Sequence, residues 1–404
     1  MIISKTNQYR LCIGGCEDKT ATMVLDHCVS AIGKVSNDHS LTALILTGSF
    51  SRGEGSIFLD DSSVAHVLGD IEFFVVLAEG ERHADVHSLL AALSLDVERQ
   101  LCEQQINCKI EFSPVARNYF RRVRPNIFNY ELLKHGKVVF GDKNILHEIP
   151  SFGSDRIPPE DGFFLLCNRI VEQLIATRSL RGNPSDFRYQ ILKLYLDMAG
   201  SYLVVSGRYA PTYAERVDLC EEAMVTDNVI ISDDRRKLFQ DILASCTAYK
   251  LNPNTTDCPL MSEESSSENL WKLFQEAAPF CKDIWLWEIQ QLFGITENGT
   301  VWTVLANRRF KLRFIIREWL KFFIVAHRVG RKLSVWRAIC QFSKGTPRTL
   351  IYSAAAHMYF CLAEGKKIDT RMVEQLLPVS SNLNSTDEAI DAVIDSWNTF
   401  VRSA

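Results

Sequence analysis

One stretch constrains this chain more than any other, LTALILTGSFSRGEGSIFLDDSSVAHVLGDIEFFVVL, from Leu41 to Leu77. It holds two short apolar runs with β-branched or aromatic residues, LTALILTG and DIEFFVVL, and both read as strands. Successive strand residues point to opposite faces, so Asp70 and Glu72 project together while Ile71 and Phe73 project the other way. Two like charges on one face repel, which suits either a solvated edge or a cation held between them. Gly48-Ser49 ends the first strand and leads into Phe50-Ser51-Arg52-Gly53-Glu54-Gly55. Small residues there let backbone amides and a hydroxyl approach phosphate oxygens, and a following helix start would add its positive end.

A third strand strengthens the pattern. After a helical stretch over about Thr20 to Val35 and the amphipathic RHADVHSLLAALSLDVERQLCEQQ comes NCKIEFSPV, where Ile110 and Phe112 alternate with Lys109 and Glu111. If the second and third strands are neighbours, Glu111 joins Asp70 and Glu72 at one point. Three converging carboxylates repel strongly at low dielectric unless neutralised, and hard oxygen donors of this kind suit Mg²⁺.

Beyond RIPPEDG (Arg156 to Gly162) the texture changes to long 3.6-period stretches such as FFLLCNRIVEQLIATRSL, and helices are expected throughout. LNPNTTDCPLMSEESSSEN, residues 251–269, reads as a linker. The expected class is therefore α+β: a mixed sheet with helices over 1–155, a helical domain over 156–250, and an all-α C-terminal region over 270–404.

At 404 residues, with 47% hydrophobic and 23% charged residues and a net charge of −4, the chain is neither a disordered polymer nor a nucleic-acid packaging protein. No segment reaches the roughly 18 uncharged apolar residues of a membrane span, and MIISKTNQYR lacks an apolar signal core, so the expected location is the cytoplasm. The 12 cysteines are scattered without a CxxC pair or zinc-type spacing and read as reduced thiols.

In its order of strand, Gly-Ser, spacer, acid-x-acid and later third acid, the chain resembles the polymerase-β-like nucleotidyltransferases. The matching residues are Gly48, Ser49, Asp70, Glu72 and Glu111. The DIE form is most similar to the aminoglycoside (antibiotic) branch, as are NYELLKHGKVVFGD (129–142) and KLYLDMAGSYLVVSGRYAPTYAERV (193–217). The resemblance implies a nucleotidyltransferase domain that moves an NMP from an NTP, ATP first, to a hydroxyl of a small acceptor with release of pyrophosphate. It implies that Asp70, Glu72 and Glu111 hold two Mg²⁺ ions, with Glu111 also the general base. Gly48, Ser49 and Arg52 would bind the triphosphate, with Lys193 reaching it. A nucleic-acid partner is not expected, and a dimer is compatible with the pattern. Two other readings use the same residues: a synthase of cyclic or linear signalling nucleotides, and a catalytically silent nucleotide-binding or interaction module.

The chain departs from the family pattern in its spacer. Between Gly48 and Asp70 stand 21 residues, about twice the usual length, so the region around IFLDDSSVAHVL reads as an insertion, either a substrate-facing loop or an inert surface excursion. Lys193 and Asp197 have the i, i+4 spacing of a helix-surface ion pair, and Tyr209 and Tyr213 either stack on the base or pack internally. From Arg308 to Arg337 there are ten Lys/Arg and one acid among six Phe and Trp residues. Such a segment suits nucleic acid, an anionic lipid surface or polyphosphate, but its aromatics at helical spacing also suit a core.

Overall fold

A computed structural model describes residues 10–13, 15–36, 38–78, 83–180, 182–227, 233–254, 258–261, 266–294, 312–331, 335–342, 345–379 and 382–402. The protein is mixed α+β. The chain runs α1 (Gly15–Val35), β1 (Leu41–Leu46), α2 (Gly48–Ser51), β2 (Ile57–Leu59), β3 (Ala65–Leu77), α3 (His83–Cys102), β4 (Ile106–Ala116), α4 (Asn118–Arg121), α5 (Ile127–His135) and β5 (Lys137–Gly141). The later elements are helical: α6 (Pro159–Ser179), α7 (Pro184–Val205), α8 (Tyr213–Thr226), α9 (Asp233–Leu251), α10 (Ser267–Phe293), α11 (Leu312–Arg328), α12 (Val335–Phe342), α13 (Pro347–Ala363), α14 (Thr370–Leu376) and α15 (Thr386–Trp397).

The described residues fall into two compact units that interleave along the chain. An α/β unit takes 1–158, 207–219 and 244–258, and a helical unit takes 159–206, 220–243 and 259–404. The sequence suggests consecutive stretches instead, because contacts between distant segments leave no local mark.

In the α/β unit, β3 is the central strand. It pairs antiparallel with β1 and β2 and parallel with β4, while β1 also pairs antiparallel with β5. A strand has two edges, so β2 and β1 follow one another along one edge of β3 and β4 takes the other. The parallel pair needs a crossover, which α3 supplies. Alternation then sorts the residues. Ile71, Phe73, Val75 and Leu77 enter a core with Leu25, Val29 and Ile32 of α1 and Leu90 and Val97 of α3. Each such fully buried side chain is worth roughly 1.5–3 kcal/mol. On the opposite face, Phe74 meets Tyr119 and Phe128, and Val76 joins a second core with Phe120 and Leu132. Asp70 and Glu72 share that face but lie beyond its apolar part.

The insertion is ordered as an extension of the sheet. β2 and the first residues of β3 form a hairpin that lengthens the sheet. Asp60 closes its turn, accepting from the amides of Ser62 and Val64 at 3.0 and 2.8 Å and lying 3.0 Å from His66 Nε2. Asn254 pins its edge, accepting from Leu59 N–H at 2.8 Å and donating to Ile57 O at 2.7 Å. Gly69, at φ +108°, sits in the register shift between His66 and Asp70, where the strand re-aims before the acids.

In the helical unit, α6 lies along α7, with α10 against α7 and α13 against α6. At the α6–α7 crossing the Ser201 hydroxyl donates to Gly162 O at 2.7 Å, and a Cβ on Gly162 would meet Ser201 O at 2.6 Å. The Ser201 hydroxyl also bonds Glu288, a fully buried acid that burial pushes up to about 8. Among the described residues no helix is long and apolar enough to cross a membrane.

Candidate active site

The pairing of β3 with β4 puts Glu72 directly opposite Glu111 and Asp70 opposite Lys109. Adjacent strands lie about 4.8 Å apart, so the two glutamates are neighbours on one face, with Asp70 two residues before Glu72 on that same face. Burial, reinforced by the charges of Glu111 and Asp70, pushes Glu72 up to about 7. Glu131 adds to the repulsion and Arg52 opposes it.

The Gly-Ser turn lies against this carboxylate. Thr47 donates to Glu72 O through its N–H at 2.9 Å and its hydroxyl at 3.2 Å, fixing the end of β1 to the middle of β3. Gly48 has φ +67°, which strains any other residue, and a Cβ there would stand 2.7 Å from Glu72 Oε2 and push that carboxylate aside. Ser49 is half-buried, and among the described residues nothing hydrogen-bonds to its hydroxyl. The helix start expected after this turn is one turn long, Gly48–Ser51. It has no macrodipole to speak of and offers its first amides only.

Three carboxylates, a free hydroxyl and backbone oxygens match a hard divalent cation in donor type, and the raised Glu72 marks a local deficit of positive charge. The donors stand open rather than closed. Asp70 Oδ1 lies 3.6 Å from Lys109 Nζ, and Glu111 accepts from the Ser113 hydroxyl at 3.0 Å. Among the described residues no group of three His, Cys, Asp or Glu is gathered at metal-ligand spacing. In donor type and charge, Asp70, Glu72 and Glu111 are compatible with a hard divalent cation such as Mg²⁺, although they are not drawn together as a closed ligand set.

Arg52 has a different place from the phosphate position expected of it. Its buried guanidinium pairs with Glu54 at 3.0 Å and Glu131 at 2.5 Å and lies 5.2 Å from the centre of the Tyr213 ring. Glu131 in turn accepts from Tyr209 OH at 2.5 Å and from Arg216 at 2.6 Å, while Glu54 accepts from Tyr213 N–H at 2.7 Å. Burial alone would raise Glu131, but Arg52, Arg216 and the Tyr209 hydroxyl hold it below the usual range. This clamp ties the turn after α2 to the 207–219 stretch. Tyr209 is buried in it and its ring faces Arg216 at 4.6 Å, so packing rather than base stacking accounts for that tyrosine. Glu54, Glu131 and Arg216 escaped the sequence reading. Glu131 and Arg216 carry only the signal of charge set among apolar neighbours, as in NYELL and YAERV, and Glu54, between two glycines in RGEGS, carries none.

Lys193 lies on α7 in the helical unit, its ammonium 5.5 Å from the centre of the Tyr189 ring. The expected pair with Asp197 is not formed. Asp197 is buried and takes Arg169 Nε at 2.6 Å, a nearer cation supplied by α6. No protein-family model matches this chain, and no curated protein matches it.

Proposed function

We propose that the α/β unit is a magnesium-dependent nucleotidyltransferase that moves an NMP from an NTP, ATP first, to a hydroxyl of a small acceptor. The observation that carries this reading is the placement of Glu72 opposite Glu111 and on the face of Asp70, where burial and those two acids push it up to about 7, beside a glycine turn with a free hydroxyl. Asp70, Glu72 and Glu111 would hold magnesium, which when bound supplies charge to the triphosphate and lowers the pKa of the acceptor hydroxyl. Gly48, having no side chain, lets the triphosphate approach the turn, and the Ser49 hydroxyl donates to a β- or γ-phosphate oxygen. Glu111, the most exposed of the three acids, takes the proton of the acceptor hydroxyl. That oxygen attacks the α-phosphorus in line, and pyrophosphate leaves with the electrons of the broken P–O bond. Arg52 does not touch the nucleotide in this scheme, and through Glu54 and Glu131 it fixes the turn that does.

The test is to incubate the protein with each α-labelled NTP and Mg²⁺, with and without a small-molecule cell extract, and to identify labelled products by mass. Label should enter a new small molecule only when extract is present, and Asp70→Asn should lower the rate about 10²-fold or more. A labelled oligonucleotide from NTP alone would instead indicate a signalling-nucleotide synthase. One contact favours the silent module: Lys109 already stands beside Asp70. No transfer from any NTP, in wild type or Lys109→Ala, would support it and end the catalytic reading.

A further inference from the structure

Helix α11 carries two apolar stripes where its packing uses one. Ile315, Trp319, Phe322 and Ala326 are buried; the Trp319 indole donates to Gly345 O at 2.9 Å, and Phe322 lies 4.2 Å from Phe400, ring centre to ring centre. These fasten the helix to its unit. Leu312, Ile316, Leu320 and Ile324 recur every fourth residue along the neighbouring face, and they are 43–62% exposed. The ridge is about 18 Å long at 1.5 Å per residue. Such an unbroken exposed aliphatic row is unusual on a solvated helix.

A row of bases runs along its edge. Arg313, Arg317 and Lys321 each follow a ridge residue, one step or 100° round the helix, and Arg328 continues the row. The only acid of α11 is Glu318, which reaches Arg317 at 3.7 Å and Lys321 at 3.3 Å. Among the described residues Arg313 and Arg328 form no ion pair. The partner of this face therefore needs apolar depth for the ridge and negative charge beside it. A second copy paired antiparallel through the ridge would set basic row against basic row. Nucleic acid would meet the bases and leave the ridge in water.

We propose that this face of α11 docks onto an anionic lipid bilayer surface. The ridge enters the boundary between headgroups and acyl chains, and the bases, whose stems follow the apolar surface, meet lipid phosphates. The inference is independent of the chemistry proposed for the α/β unit.

Co-sedimentation of the full chain with vesicles tests it. Binding is expected to mixed phosphatidylcholine/phosphatidylglycerol vesicles and not to phosphatidylcholine alone. Ile316→Asp combined with Leu320→Asp should abolish it, and Arg313→Glu with Arg317→Glu should lower partitioning about tenfold or more. Both pairs are exposed, and an unchanged thermal midpoint confirms an intact fold. Leu95→Asp on α3, equally an exposed leucine, should leave binding as it was. Any of three results would overturn the proposal: no binding to the anionic vesicles, binding indifferent to the ridge variants, or a dimer in light scattering that the ridge variants convert to monomer. Equal binding of soluble polyglutamate, unaffected by the ridge variants, would reassign the face to an acidic protein.

Discussion

Glu131 and Glu72 belong to the same α/β unit, both are withdrawn from water, and their ionisation is pulled in opposite directions. Around Glu131 two arginines and a tyrosine hydroxyl outweigh burial, so the acid stays charged and complete. Around Glu72 burial is joined by two further carboxylates, and the acid is pushed to about 7. Each buried charge needs a partner, and the chain supplies it for one glutamate and withholds it for the other. The difference separates a clamp satisfied by its own residues from a carboxylate face left short of positive charge, which under the proposed function a cation would supply.

The largest effect should come from breaking the satisfied cluster. Glu131→Ala leaves Arg52 and Arg216 buried without their shared acid, and urea unfolding should show a loss of about 3–5 kcal/mol. A loss below 1 kcal/mol would mean that the clamp is as incomplete as the carboxylate face.

The next effect sharpens the contrast through pH. The folded protein keeps the Glu72 proton up to about 7, whereas the unfolded chain releases it near 4.5. Between those values the native state binds more protons, so stability falls as pH rises, by on the order of 2–3 kcal/mol for this group. Glu288, raised by burial to about 8, contributes a similar slope. The difference between wild type and Glu72→Gln in metal-free unfolding curves isolates the part due to Glu72, and identical slopes would remove the repulsion on which the comparison rests. The smallest effect concerns Lys109. Its pairing with Asp70 is long and both groups are substantially exposed, so Lys109→Ala should change stability by less than about 0.5 kcal/mol, measured by the same unfolding. A larger loss would make Lys109 the missing counter-charge.

What could be read in advance was what repeats along the chain. Alternation placed Asp70 and Glu72 on one face, and Ile110 and Phe112 against Lys109 and Glu111. The register that aligns Glu72 with Glu111 depends on the irregularity between His66 and Asp70, which no alternation reveals. The hairpin hid because β2 has three residues and two of them, Phe58 and Leu59, are exposed. The clamp hid for another reason: Glu131 meets Arg52 across 79 residues and Arg216 across 85. Asp197 likewise chose Arg169 on another helix over the lysine one turn away, since burial favours the guanidinium that can stay charged.

The most direct test of the central claim is proton release on metal binding. Titrating the metal-free protein with Mg²⁺ and a non-hydrolysable NTP near pH 7, in two buffers of different ionisation enthalpy, counts the protons displaced. If the cation fills the deficit at Glu72, about half a proton should leave per site at pH 7 and almost none at pH 9, and both the release and the binding should be lost in Asp70→Asn. Binding without proton release, or no binding in the wild type, would contradict the assignment of Asp70, Glu72 and Glu111 as one cation site.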